Sequence, residues 1–177
     1  MVVLRPTSTL TAKMRLRLAA TLHRSDTRLG DWYAKDVTVG KRRLVLCVNE
    51  LSRLAIVLEA APYASIPERF PAAVGALLEG FVPLREPIER EISAMQTISI
   101  AKTNSRSVLG LLNEYDWLLQ AMHYVDSEIQ TLDPAVLSNR MCSAVTAIPL
   151  KNLRDQRPSG CFRPKTSSEK RIRFTAL

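Results

Sequence analysis

Histidine is almost missing from this chain: His23 and His123 are the only two in 177 residues. Neither stands at metal-ligand spacing from a cysteine, and neither has a neighbour that would orient it as a general base. Zinc-site, Ser-His-Asp and Cys-His chemistries therefore lack an essential ingredient. Cysteine is also scarce. Cys47, Cys142 and Cys161 are odd in number and fit neither a zinc pattern nor a paired redox motif, which points to a reducing compartment. Cys47 lies within the apolar run Leu44–Val48, where a thiol serves as a small core residue. No metal and no cofactor is expected. Glycine numbers six, and no Gly-rich phosphate loop ending in Gly-Lys-Ser/Thr occurs. No run approaches the ~18 uncharged apolar residues of a membrane span. The start, Met1–Pro6, lacks the basic-then-apolar order of a secretory signal. The reading is a cytoplasmic protein without a membrane partner.

What is present is ordinary globular material, with 46% hydrophobic and 24% charged residues. That suits one domain able to fold around its own core. The formal charge of +8 is unevenly placed: residues 1–40 carry +4, residues 41–150 carry −2 and residues 151–177 carry +6. A domain over 1–150 followed by a basic tail over 151–177 is the natural division. The tail is rich in Arg, Lys, Ser and Pro, a composition that stays disordered on its own. Lys151, Arg154, Arg157, Arg163, Lys165, Lys170, Arg171 and Arg173 could neutralise phosphates weakly and without regard to sequence; a solvated tail is the alternative.

Periodicity predicts the elements. Val2–Val3–Leu4 is β-prone. Leu10, Met14 and Leu18 recur every four residues, placing a helix over 9–20 behind Thr7–Thr9 as caps. Residues 31–39, 42–48 and 53–58 are β-branched or apolar runs joined by short turns, which makes an antiparallel meander. Ser65–Glu68 reads as a capping box opening a helix with Phe70, Val74, Leu77 and Leu78 inward. Ile88, Ile92 and Met95 define another helix, with Glu89, Arg90 and Glu91 outward. Residues 97–101 alternate as a strand that joins the meander. Val108 to Met122 carries the strongest helical period, and Pro134 opens a weaker helix to about Ala144. The expected fold is α+β: a small, mostly antiparallel sheet packed on one face by helices.

Chemistry-bearing residues gather at predicted strand ends. Asp31 and Trp32 open one strand, Asn49 and Glu50 close another, and Lys102 to Ser107 links a strand to the long helix. Trp32 is either a core anchor or a stacking platform. Sheet-type nucleic-acid readers interleave several aromatics with basic residues, and only Trp32 and Tyr33 are available here. Glu50 and Lys102 could pair across the sheet. Asn104 with Thr103 or Ser105 can cap the long helix, and Lys102 and Arg106 beside free backbone N–H groups could hold an anion.

Leu29–Ala34 (LGDWYA), Val48–Glu50 (VNE) and Lys102–Gly110 (KTNSRSVLG) resemble the signatures of a family of small uncharacterised bacterial proteins, a domain of unknown function. The resemblance covers residues 1 to about 125 and implies a domain boundary without implying a reaction. Three readings of function remain. The leading one is a non-enzymatic interaction or regulatory module with a protein partner, acting through a sheet edge or the Asp31/Asn49/Lys102 region. The others are nucleic-acid association through the tail and first helix, and a phosphate-ligand enzyme or binder at Lys102–Ser107.

Overall fold

The computed structural model describes residues 1–19, 24–126, 128 and 131–144. In chain order the elements are β1 (Val2–Pro6), α1 (Ser8–Met14), β2 (Trp32–Val39), β3 (Arg42–Asn49), β4 (Ala55–Glu59), a 3-10 turn (Tyr63–Ser65), α2 (Ile66–Glu79), α3 (Arg85–Ala94), β5 (Ile98–Ile100), α4 (Arg106–Val125) and α5 (Pro134–Ala144). The fold is α+β. One five-stranded sheet has the order β4-β3-β2-β1-β5.

Strands β2, β3 and β4 form the antiparallel meander that their short turns require, with Tyr33 opposite Val48 and Leu46 opposite Val57. The sheet as a whole is mixed rather than mostly antiparallel. β1 runs parallel to both its neighbours, pairing Leu4 with Trp32 on one side and with Ile100 on the other. The reason is connection length. The stretch between β1 and β2 includes α1 and is long enough for a crossover, so parallel pairing is open to it. The late strand β5 joins β1 and not the meander.

Helices cover both faces of the sheet, not one. Neighbouring strand residues point to opposite sides. Asp36 accepts from Lys13 of α1 and from Tyr63, while Lys35 next to it donates to Asn113 and Asp116 of α4. Trp32, on the Asp36 side, packs edge-on against Phe70 of α2 with ring centroids 5.4 Å apart. Val108, Leu112, Tyr115 and Leu119 of α4 are buried over the other side. A strand covered on both faces should read as a continuous apolar run, and β3 from Leu44 to Val48 is fully buried.

The last helix closes an edge. On β4 the backbone groups of Ala55 and Val57 point away from β3. They meet Cys142 Sγ (3.4 Å from the Ala55 N–H) and Ser138 Oγ (2.8 Å from the Val57 N–H), both on α5. At the far edge, Ala19 N–H donates to Ile100 O at 2.7 Å.

Local expectations fared unevenly. Trp32, Leu44, Leu46, Val57, Leu77 and Tyr115 are buried in the core, while Ile98, Leu111 and Leu118 pack partly buried against it. Helix α1 ends at Met14, because Arg15 takes a left-handed conformation (φ 55°), and Leu18 lies outside the helix. Ser65 makes no capping bond to α2; its hydroxyl donates to Pro62 O and accepts from Arg69. Ser105 does cap α4, accepting the Val108 N–H at 3.4 Å. Glu91 is buried, not outward, and its carboxylate accepts the N–H groups of Arg28 and Leu29 at 3.0 Å each. Burial pushes its pKa up despite those two bonds. The basic tail, His23 and Cys161 lie outside the described residues.

Candidate functional site

Arg5 is the unexpected centre of the polar end of the sheet. It sits within β1 at 2% exposure, on the same side as Tyr33, its register partner. A buried guanidinium needs partners for its fixed fork of donors. Its Nε donates to Asp31 Oδ2 at 2.7 Å, and its Nη1 donates to the carbonyl of Lys102 at 2.7 Å. The other oxygen of Asp31 accepts from the hydroxyl and N–H of Ser25, at 2.7 and 3.2 Å. One side chain thus ties β1, the entry to β2 and the exit from β5 together.

Asn49 works from the end of β3. Fully buried, it donates through Nδ2 to Leu29 O (2.8 Å) and Asp31 O (3.2 Å). Its Oδ1 accepts from the N–H groups of Leu51 and Ser52 and from the Ser52 hydroxyl. With every hydrogen-bonding position used, Asn49 is a turn-builder. Glu50 follows it, and its N–H donates to Asp31 O at 3.0 Å.

The Glu50 side chain is different. It is half-buried, yet its carboxylate has no hydrogen-bond or ion-pair partner among the described residues. Burial raises its pKa first, and the neighbouring Asp31 charge adds to this, against the opposing pull of Arg5 and Arg53. Beside it, Tyr33 donates its hydroxyl to Asn104 Oδ1. Burial, then the Glu50 charge, pushes the Tyr33 phenol up to about 12.

Five of the seven sequence-derived site residues therefore converge: Asp31, Asn49, Glu50, Lys102 and Asn104. Lys102 is exposed and contributes its carbonyl to Arg5, and the expected Glu50–Lys102 pair does not form. Trp32 does not belong with them. It is fully buried on the face opposite Tyr33, against Phe70. Arg106, the first residue of α4, is exposed and stands apart on that helix. Sequence reasoning missed Arg5 and Tyr33. The available signal was a charged residue inside the short apolar strand Val2–Pro6, an uncommon place for arginine unless it is paired.

Other features suit chemistry less well. Burial raises the thiol pKa of Cys47 and, up to about 11, that of Cys142, which makes both inert. Among the described residues no group of His, Cys, Asp and Glu is placed to hold a metal ion, and no helix is long and apolar enough to cross a membrane. An open groove of about 630 Å³ between α2 and α3 is lined chiefly by Ala, Ile and Pro with Glu79 and Glu89 at its rim.

The structure defines an α+β protein with a mixed sheet, one end of which is knotted by a buried arginine and leaves one carboxylate free. By sequence the chain belongs to the family described as "Domain of unknown function (DUF6933)", whose model matches residues 3–159. That match passes beyond α5 and covers more of the chain than the three signatures alone suggested. No curated protein and no solved structure matches the chain significantly.

Proposed function

We propose that this protein is a non-enzymatic interaction module that meets its partner at the polar end of the sheet, around Glu50, Lys102 and Asn104. The observation that carries this reading is the unpartnered Glu50 carboxylate. Leaving a half-buried charge unpaired costs stability, and such costs are tolerated where a surface has another use. Its surroundings favour recognition over proton transfer. Asp31 is committed to Arg5 and Ser25, Asn49 to the turn, and the Tyr33 hydroxyl to Asn104. A partner chain presenting an Arg, Lys or backbone N–H would satisfy Glu50, with the exposed Lys102 and Asn104 at the rim. Quantitative co-purification of the full chain and its Glu50→Ala variant from its own cells is the test. A protein retained by the full chain and lost from the variant supports the reading. Equal retention, with circular dichroism showing both folded, overturns it. A thermal-shift screen with nucleotides, short DNA and RNA covers the phosphate-ligand alternative: stabilisation lost in Lys102→Ala would move the function to the start of α4.

A further inference from the structure

Helix α4 carries a second, unrelated surface. At 3.6 residues per turn, Arg106, Gly110, Trp117, Ala121 and Tyr124 fall within about 40° of one line. That line faces away from the sheet: Trp117 is 71% exposed and Tyr124 93% exposed. Two large aromatic rings bare on one helix face are unusual for a chain of which they form so small a part. Gly110 has no explanation inside the chain either. A Cβ added there would meet nothing within 4 Å, so no close approach requires glycine. In a helix interior it costs roughly 1 kcal/mol relative to alanine.

The spacing explains both oddities together. Gly110 and Tyr124 lie seven residues either side of Trp117. Two copies of α4 laid antiparallel about a two-fold axis at Trp117 bring Tyr124 of each over Gly110 of the other. Trp117 then meets its own copy. Such an interface is self-complementary in the way a two-fold dimer demands. Seven-residue spacing keeps the seam aligned along both helices. The area is sufficient. The two rings supply about 400 Å² per copy and their neighbours bring the total for both copies to about 1,000 Å², the lower bound for a specific interface.

We infer that the protein forms a two-fold homodimer through antiparallel pairing of α4, centred on Trp117, with Gly110 receiving Tyr124 of the second copy.

Sedimentation velocity of the full chain over a concentration series tests it. A monomer–dimer equilibrium in the micromolar range is expected, weakened roughly ten-fold or more by Trp117→Ala. Gly110→Leu separates pairing from folding. It should weaken the dimer while raising the melting temperature of dilute monomer, because leucine is the better helix former. A chain that stays monomeric at hundreds of micromolar overturns the inference, as does a dimer indifferent to Trp117→Ala and Gly110→Leu.

Discussion

At the scale of the residue, burial raises the pKa values of two carboxylates that sit in different settings. Glu91 is deeply buried and bonded to the Arg28–Leu29 backbone, whereas Glu50 is half-buried and unbonded. A carboxyl whose folded pKa lies above its unfolded value binds more protons when folded. Its ionisation therefore lowers stability as pH rises from the unfolded pKa through the folded one, and the cost vanishes below about pH 4. Glu50→Gln removes this penalty without removing any hydrogen bond. The variant should match the parent in urea unfolding at pH 4 and exceed it at pH 7. Equal midpoints at both values would show that Glu50 carries no electrostatic strain. Glu91→Gln should behave otherwise, since the new amide can accept through only one oxygen where two N–H groups wait.

At the scale of the element, the closed edge of β4 depends on α5. Ser138 and Cys142 take the Ala55 and Val57 backbone groups that would otherwise face solvent. A bare edge strand of apolar residues is a template for pairing with other chains. Truncation before Pro134 should shift the protein from the soluble to the aggregated fraction, while truncation after Leu150 should leave a folded, soluble chain. If the shorter chain stays soluble and resists proteolysis, the edge is protected in some other way. The meander behind this edge was legible in sequence because its turns are short and its strands are local. The parallel pairing of β1 was not, because nothing within residues 1–6 says which distant strand lies beside them. Arg5 and Glu91 escaped for a related reason. Each satisfies its charge with groups 26 to 97 positions away, and periodicity reports only neighbours. Asp31, Asn49 and Lys102 were legible as a group because strand ends converge by topology, whereas Trp32 shares that strand end but, like its register partner Asn49, lies on the face opposite Tyr33 and is packed against Phe70.

At the scale of the whole molecule, the charge is divided along the chain. Residues 41–150 carry a net −2 against +6 over residues 151–177. Any affinity for polyanions should therefore reside in the last segment, fall steeply with added salt and ignore sequence. Filter binding of duplex DNA, single-stranded DNA and RNA by the full chain and by residues 1–150 measures this. Equal, salt-resistant binding by the shorter form would place the activity on the folded domain.

The sealing of β4 also has a history in time. The strand is complete at Glu59, but the helix that covers it begins at Pro134, 75 residues later. At ordinary rates of synthesis that gap lasts about 4–15 s. Throughout it, a nascent chain on the ribosome holds a finished hairpin with one open side. Neighbouring ribosomes within that stretch of the message carry the same open hairpin on chains of different length. The hazard to this fold is thus greatest during translation, and slower elongation between residues 60 and 134 should raise the yield of aggregates even though the completed protein is unchanged.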